Sequence, residues 1–362
     1  MAGHYEVTVG AQLARGEGPD VFYAQRAEAA LWAAEGLIEP LDAAQPRVAE
    51  ALAGTDAALV EGARDEAGRL LGTTYYNGGP FALFLRPGHG AEPESWEALL
   101  DACRRARRDG AAEHPFVPRW HATQTGLVWS LLAHLASEGV TDLADPAAES
   151  ALAGALGFFA ALVREELTPF ESLDDAGDWP ALERWARGRH LATFTVDYLA
   201  ADAAEIAGLP VSRPSARLPG RVGTPLMPGH ALVCLRRGIG GARRAAALQL
   251  AGHLGGVVVH RRWLEERLFA VPRSALLQAP EVRRTIARHF RPDEAEIAVA
   301  RLAASRGRAV VSPPSRRPHM LAWTRGADAL VRGALLRERR IEPAEAAEQL
   351  LESWDRLEAA HR

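Results

Sequence analysis

The stretch Gly18-Pro19-Asp20-Val21-Phe22-Tyr23 begins the pattern that decides the fold class. Residues 16–19 are typical of a turn, and Asp20-Val21-Phe22-Tyr23 predicts a short strand. The Ala-rich residues 26–35 that follow predict a helix, which Gly36 ends as a C-cap. Strand and helix signals continue to alternate along the chain, so the sequence predicts an α/β fold with helices in excess.

The other predicted elements lie on both sides of this stretch. A strand is predicted at residues 5–9, and the most β-like region runs from Leu70 to Leu85 around Asn77-Gly78-Gly79-Pro80. Ser95 is the predicted N-cap of a helix that runs to Arg108. Further helices are predicted at 123–138, 147–166, 179–187, 242–254, 281–291, 293–305, 326–338 and 343–360, further strands at 190–196 and 231–235, and an irregular connector at 208–230.

The composition is that of a globular protein and excludes several kinds of chemistry. The 362 residues predict two domains or one large two-lobed domain, and 48% hydrophobic with 24% charged residues is an ordinary globular balance. The net charge of −4 argues against a nucleic-acid partner, which would require a basic excess. All 42 basic residues are Arg, so the chain has neither a Walker A lysine nor a Schiff-base lysine.

Motifs for metals, nucleotides and nucleophilic catalysis are missing from the sequence too. Gly238-Ile239-Gly240-Gly241 predicts a βα turn and no dinucleotide site, because Arg243 stands where the third glycine would be. The His and Cys residues show no zinc-ligand spacing, and no G-x-S-x-G occurs. We therefore expect no metal, no cofactor and no catalytic residue.

Signals for cellular location are few. No apolar stretch approaches the 18 residues of a membrane-spanning helix, and residues 1–6 lack the basic and apolar regions of a signal peptide. Cys103 and Cys234 could form a disulfide or stay free, so the sequence leaves the redox compartment open.

Four segments follow the first stretch in a specific order. They are Ala34-Glu35-Gly36-Leu37-Ile38-Glu39-Pro40-Leu41-Asp42, Gly68-Arg69-Leu70-Leu71-Gly72-Thr73-Thr74-Tyr75-Tyr76, Ala82-Leu83-Phe84-Leu85-Arg86-Pro87 and Pro93-Glu94-Ser95-Trp96-Glu97-Ala98-Leu99-Leu100. Their order and spacing resemble the maltose-binding-protein-like family of ABC-importer solute-binding proteins (extracellular solute-binding family 1). Later segments at 187–194, 225–235, 268–273 and 341–347 are also similar, so the resemblance covers nearly the whole chain.

The resemblance implies a two-lobed, helix-rich, periplasmic-binding-protein-like fold of type II. It implies one lobe from residues 1–78 and 230–270, another from 79–225 and 275–362, and hinge crossings near 74–81, 224–231 and 268–275. The implied function is capture of a small solute, a carbohydrate first of all, in a cleft between the lobes by hinge closure, for delivery to an ABC-transporter permease. Such a protein is a monomer and no enzyme, and it works in the periplasm or outside the cell, with a lipoprotein anchor as one option.

The sequence departs from the family pattern at two places. The family's first strand and helix have no counterpart before residues 5–9, so either the chain as given is truncated at its N-terminus or its first lobe is built differently. The family's "Y-G-x-P" is Leu71-Gly72-Thr73-Thr74 here, which leaves the ligand open. Two other interpretations stay open: a cytoplasmic sensor or regulatory module on the same fold, and an unrelated α/β enzyme that uses His121 and Asp197 as acid and base.

Candidate ligand-binding residues are aromatic or planar polar side chains, which suit the apolar faces and the hydroxyls of sugars. In the first lobe they follow the strands that the resemblance places next to the ligand, and they are Gln25, Arg26, Glu28, Tyr75, Tyr76 and Asn77. The alternatives are a solvated helix turn for the first three, a buried Tyr in a strand, and a β-hairpin turn at Asn77-Gly78.

The remaining candidates lie at loops and strand ends where the resemblance implies a ligand-facing position. They are Trp120, His121, Gln124, Asp197, Tyr198, His230 at the second crossing, and Trp323. The alternatives are that Trp120 anchors its loop on the core, that Asp197 is a helix N-cap, and that Trp323 is a core residue.

Overall fold

The structure of the chain is a computed structural model that describes residues 2–86, 92–122, 125–199, 202, 205, 206, 215, 217–227, 230–266, 271–288 and 295–361. The strands are β1 (Val21–Gln25), β2 (Ile38–Glu39), β3 (Thr73–Tyr76), β4 (Phe81–Leu85), β5 (Phe116–Pro118), β6 (Ala192–Val196), β7 (Leu226–Met227), β8 (Ala231–Arg236) and β9 (Val310–Val311). The α-helices are α1 (Ala2–Ala14), α2 (Arg26–Ala34), α3 (Pro46–Leu52), α4 (Ala57–Gly62), α5 (Trp96–Arg108), α6 (Gly126–Glu138), α7 (Ala148–Arg164), α8 (Asp178–Arg187), α9 (Gly241–Leu254), α10 (Val257–Glu265), α11 (Pro280–Ala287), α12 (Ala295–Arg308), α13 (Met320–Ala329) and α14 (Pro343–Ala360). Shorter 3-10 turns lie at Phe170–Leu173, Asp197–Leu199, Ser274–Gln278 and Pro313–Arg316, and a π-helical stretch at Leu330–Arg337.

The chain folds into two compact units. Unit 1 comprises Met1–Gly79, Met227–Ile286 and Val311–Leu321, and unit 2 comprises Pro80–Leu226, Ala287–Val310 and Ala322–Arg362. The first two changes of unit fall inside the stretches expected to cross, 74–81 and 224–231. The third change comes after Ile286 instead of near 268–275, and residues 311–321 return to unit 1.

Residues 271–274 belong to unit 1 because several hydrogen bonds hold them there. Arg273 donates to the carbonyls of Ala51 (2.6 Å) and Gly255 (3.1 Å). The backbone nitrogen of Ser274 donates to the Asp56 carboxylate at 3.0 Å. These long-range contacts have no signature in the local sequence, which is why the expected position of the third crossing and the observed one differ.

Unit 1 is built on an antiparallel sheet with β8 in the centre. One edge of β8 pairs with β1, from Val21 opposite Leu235 to Gln25 opposite Ala231. The other edge pairs with β2 and β3, and the register shifts at a bulge between Thr74 and Tyr76. Apolar side chains of α1, α2, α3 and α9 pack on this sheet and form one buried core.

Unit 2 contains a three-stranded sheet in the order β4-β6-β5. Strand β4 runs antiparallel to β6, and β5 runs parallel to it. All five residues of β6 are buried, as expected for a central strand that is covered on both faces. Because β3 pairs in unit 1 and β4 pairs in unit 2, Asn77-Gly78 is a connection between units and no β-hairpin turn.

The prediction of a strand at residues 5–9 is wrong, because these residues lie inside α1. Val9 and Leu13, four residues apart, are both buried, whereas Thr8 and Ala11 are exposed. This spacing puts two apolar side chains on one face of the helix. The strand was predicted because the short stretch Tyr-Glu-Val-Thr-Val also fits the alternation of a strand. The other strand predictions coincide with β1, β3, β4, β6 and β8, and Ser95 caps α5 by accepting a hydrogen bond from the Ala98 nitrogen.

Both cysteines are buried and free, and burial raises the pKa of each thiol to about 12. Across the described helices, none has the length and apolar character needed to cross a membrane. Within the same described ranges, no group of three or more His, Cys, Asp or Glu side chains is arranged to hold a metal ion.

Candidate functional site

The predicted site residues divide between the two units. Unit 1 holds Gln25, Arg26, Glu28, Tyr75, Tyr76, Asn77 and His230, and unit 2 holds Trp120, His121, Asp197, Tyr198 and Trp323. Gln124 lies outside the described residues.

Unit 1 carries a group of four aromatic side chains, which we call the aromatic surface: Tyr23, Tyr75, Tyr76 and Trp263. Tyr75 is its centre, with ring centroids 4.6 Å from Trp263, 6.2 Å from Tyr76 and 6.3 Å from Tyr23. Tyr23 is 39% exposed and the other three are half-buried, so part of each side chain reaches solvent. Aromatic faces of this kind can pack against the apolar face of a ligand ring.

The strand pleat explains why Tyr23 belongs to this surface. Successive side chains of β1 point to opposite faces, so Phe22 and Ala24 are buried in the core while Tyr23 and Gln25 lie on the other face. The Gln25 side-chain nitrogen donates to the Tyr76 hydroxyl. The aromatic surface therefore has a polar edge, where the Gln25 amide and the Tyr76 hydroxyl are hydrogen-bonded to each other.

Glu28, next to this polar edge, stabilises the start of α2. Its carboxylate accepts a hydrogen bond from the Gln25 backbone nitrogen at 2.8 Å, as part of a capping box at the start of α2. Glu28 is 2% exposed, which differs from the solvated helix turn that the sequence left open.

Buried polar residues support the aromatic surface from below. His260 lies 3.0 Å from the Tyr75 carbonyl through Nε2, and Arg273 donates to His260 Nδ1 at 3.0 Å. Since the arginine can only donate, Nδ1 accepts and Nε2 carries the proton, which fixes a neutral tautomer. Burial and the Arg273 charge agree with this, because they lower the pKa of His260 to about 4.

Asn77 holds the connection that leads out of β3. Its side-chain nitrogen donates to the Val271 carbonyl at 3.0 Å, and its side-chain oxygen accepts from the Gly79 nitrogen at 3.0 Å. Gly78 and Gly79 have φ values of 74° and 67°, which favour glycine. Asn77 is 1% exposed, so both of its polar groups serve the backbone of this connection.

Arg26 and His230 are each 0% exposed in unit 1. Arg26 donates to the carbonyls of Gly62 and Arg64, and burial lowers its pKa to about 10. Burial, Arg26 and Arg316 together lower the pKa of His230 to about 3, so the ring is neutral. Arg26 is therefore not part of a solvated helix turn, and His230 is a buried residue of unit 1.

In unit 2, the carboxylate of Asp178 holds the segment from Arg119 to His121. Asp178 accepts from Arg119 and lies 3.1 Å from His121 Nε2, and these contacts hold the pKa of Asp178 far below its usual range against the opposing effect of burial. Trp120 is 1% exposed, with its ring centroid 5.0 Å from that of Phe159. This placement matches the anchoring alternative for Trp120.

Asp197 is fully buried and forms an ion pair within unit 2. Arg306 donates to its two carboxylate oxygens at 2.9 and 3.3 Å, and the side chains are 0% and 2% exposed. Burial raises the pKa of Asp197, with Arg306 acting in the opposite direction. Asp197 opens a 3-10 turn and its neighbour Tyr198 is half-buried.

Trp323 is a core residue of unit 2. It is 1% exposed, its indole nitrogen donates to the Leu350 carbonyl at 3.0 Å, and its ring meets Trp354 edge-to-face at 5.4 Å. An indole with its one donor satisfied inside the protein has packing as its main role. This is the core alternative that the sequence left open.

The sequence missed Tyr23, Trp263, His260 and Arg273. Tyr23 could have been found, because it stands two residues before Gln25 and therefore on the same face of the strand. Trp263, His260 and Arg273 reach Tyr75 only through the folding of unit 1, over sequence separations of up to about 200 residues.

Comparison with known proteins identifies the fold. No protein-family model matches the chain, and no curated protein matches it in sequence. Among solved structures, maltose-bound MalE3 of T. maritima matches with a TM-score of 0.78 at 18% identity, covering 98% of this chain and 88% of that one. The maltotriose-bound MalE domain of Bdellovibrio bacteriovorus (0.71, 16%, 98% and 89%) and a tagatose-bound solute-binding protein of Thermotoga lettingae (0.73, 15%, 98% and 89%) are also similar.

The chain therefore has the type II periplasmic-binding-protein fold of the maltose-binding-like ABC-transporter solute-binding proteins. This confirms the predicted α/β, helix-rich fold class and, at the level of the fold, the resemblance read from the segment order. The chain covers 88–89% of the length of those three structures.

Proposed function

We propose that this protein is a solute-binding protein that captures a carbohydrate for an ABC importer. The observation that carries the proposal is the aromatic surface of unit 1, four rings with a polar edge at Gln25 and Tyr76, on a chain with the solute-binding-protein fold. Ring faces and a neighbouring amide–phenol pair are the two components that sugar recognition needs. The similar structures named above hold maltose, maltotriose and α-D-tagatose.

The mechanism that we propose is binding without chemistry. A sugar packs on the aromatic surface, and closure at the chain crossings, the first of which is Asn77-Gly78-Gly79-Pro80, retains it. The chain would act as a monomer in the periplasm or outside the cell, and a membrane permease would take up the solute from the closed form. The alternating burial of β1 and the hydrogen-bonded support of Tyr75 favour a rigid aromatic surface, which lowers the entropy lost on binding.

Isothermal titration with maltose, maltotriose, D-tagatose and D-mannitol tests the proposal. We expect one of these classes to bind, and Trp263→Ala to weaken that binding roughly 2- to 13-fold, which corresponds to about 0.5–1.5 kcal/mol for an aromatic contact. Trp179→Ala is the matched control, because Trp179 is a 53% exposed tryptophan on a helix of unit 2. It should leave the affinity unchanged.

Two results would contradict the proposal. One is a folded protein that binds no sugar in this panel or in a wider set of mono- and oligosaccharides. The other is equal weakening by Trp263→Ala and Trp179→Ala, which would remove the aromatic surface as the binding site. A shift of the intrinsic tryptophan fluorescence of the wild-type protein, lost in Trp263→Ala, would support it independently.

A further inference from the structure

Among the described residues, Arg26 at the start of α2 is a buried cation without an ion-pair partner. Arg26 is 0% exposed, and it donates from Nε and Nη2 to two backbone carbonyls. Its remaining nitrogen, Nη1, is buried without a hydrogen-bond partner, and in the described part of the chain no carboxylate lies within ion-pair distance of the guanidinium. Because an uncompensated buried charge is strongly unfavourable, this arrangement calls for an anion.

His230 provides a second, independent observation at the same place. It is 0% exposed, and neither ring nitrogen has a hydrogen-bond partner among the described residues. A Cβ added to Gly62 would stand 2.8 Å from His230 Cε1, and the Gly62 carbonyl is the one that accepts from Arg26. Arg26 and His230 therefore both lie next to Gly62. Their unpaired nitrogens are unusual, because about nine in ten buried polar groups have a hydrogen-bond partner.

The acidic side chains of this region are already engaged elsewhere. Glu28 accepts from the Gln25 backbone, Asp65 pairs with Arg69 at 2.7 Å, and Glu61 lies 3.3 Å from Arg316. The hydrogen bonds and ion pairs given above for these carboxylates are therefore with groups other than Arg26 and His230.

The position of this pair relates it to the aromatic surface. Arg26 directly follows Gln25, the polar edge of that surface, so their Cα atoms are about 3.8 Å apart.

We infer that Arg26 and His230 form a subsite for a carboxylate, and that the solute is an acidic sugar such as a uronic acid. The inference rests on the proposed function and narrows its substrate class. The carboxylate accepts a charge-assisted hydrogen bond from Arg26 Nη1 and a second one from an N–H of His230. No bond is made or broken.

Titration calorimetry with paired sugars tests this inference. D-glucuronate is compared with D-glucose, and D-galacturonate with D-galactose, together with their short oligomers. We expect the acidic member of a pair to bind roughly 10- to 100-fold more tightly, the effect of one or two charge-assisted hydrogen bonds. Arg26→Met and His230→Leu should each remove most of this preference, and Arg47→Gln, on an arginine of unit 1 whose side chain is 55% exposed, should keep it.

Stability separates a binding role from a structural one. Arg26→Met also removes two hydrogen bonds to backbone carbonyls, so it should lower the melting temperature. His230→Leu removes no hydrogen bond, and it should leave the melting temperature equal or higher because it deletes an unpaired buried polar group. A large loss of stability in His230→Leu would overturn the assignment of its nitrogens to a ligand.

The remaining outcomes distinguish the inference from the proposed function. Neutral sugars that bind as tightly as their uronates would overturn the acidic-sugar inference and leave carbohydrate binding intact. Sulfate or acetate binding as tightly as the uronates would assign the subsite to a free anion and overturn the sugar carboxylate. Failure of every neutral and acidic sugar to bind the folded protein would contradict the proposed function and this inference with it.

Discussion

Breaking the buried ion pair of unit 2 should be far more destabilising than breaking an exposed one. Asp197 and Arg306 are joined by two hydrogen bonds at 2.9 and 3.3 Å with side chains 0% and 2% exposed. Asp197→Leu leaves a buried guanidinium without its counter-charge, so we expect a loss of about 3–5 kcal/mol in the free energy of unfolding. Arg306→Met leaves a buried carboxylate and should cost about the same.

The double variant Asp197→Leu/Arg306→Met should recover most of that loss. Burial raises the pKa of Asp197 despite Arg306, so desolvation outweighs the attraction within the pair. An apolar pair of similar size avoids that desolvation, and such replacements are often neutral or stabilising. The double-mutant cycle should therefore give a coupling energy of about 3 kcal/mol or more.

The exposed pair Arg104–Glu165 is the matched control in the same unit. Its side chains are 41% and 38% exposed and its two hydrogen bonds are 2.6 and 2.7 Å long. Arg104→Gln should cost under about 1 kcal/mol, because solvent screens an exposed pair. Urea unfolding followed by circular dichroism and tryptophan fluorescence measures all variants. An Asp197→Leu loss no larger than that of Arg104→Gln would refute the reasoning.

The same variants test whether Asp197 binds the solute. The double variant keeps the fold and removes the carboxylate, so unchanged sugar affinity would assign Asp197 to stability alone. A lost affinity in a protein of wild-type stability would return Asp197 to the ligand-binding residues that its position after β6 suggested.

Two further predictions concern acid stability and glycine packing. Burial lowers the pKa of His134 to about 3, below the unfolded value of about 6.5, so the unfolded state takes up the proton first as the pH falls. The contribution of His134 is thus complete above pH 6.5 and lost between pH 6.5 and 3, up to about 5 kcal/mol. His134→Leu should therefore reduce the fall in melting temperature over that range, to which the buried His230 and His260 also contribute; an unchanged pH profile would contradict this. A Cβ at Gly72 would meet a backbone oxygen of β8 at 2.6 Å, so Gly72→Ala should lower the free energy of unfolding by about 1–3 kcal/mol. Gly154→Ala on α7, with open space around it, should raise that energy by about 0.5–1 kcal/mol, and equal effects of the two would show that the close contact in unit 1 is absent.

The order of strands and helices could be read from the sequence because local patterns carried it. Strands β3, β4 and β6 were found from β-branched and aromatic runs, and α7 from its 3.6-residue apolar period. The strand predicted at 5–9 failed because five alternating residues fit a strand, while the burial of Val9 and Leu13 needed the helix that packs on the sheet.

The site could be read less well, since local position does not report burial. Gln25, Tyr75 and Tyr76 do meet on one surface of unit 1. Asn77, Trp120 and Trp323 had plausible positions, but their polar groups or rings serve the backbone and the core. That difference depends on partners such as Val271 and Leu350, which lie far away in the sequence.

By itself the sequence determined the fold class, the exclusion of lysine-dependent chemistry and the residues at the ends of β1 and β3. These properties depend on residue type and on spacings of a few residues, so no distant contact can change them. Only the tertiary structure decided that Trp263 joins the tyrosines, that His260 is held neutral below Tyr75, and that Arg26 and His230 meet at Gly62. Each of these depends on residues tens to hundreds of positions apart being brought within a few ångströms, and desolvation there then sets charge and pKa.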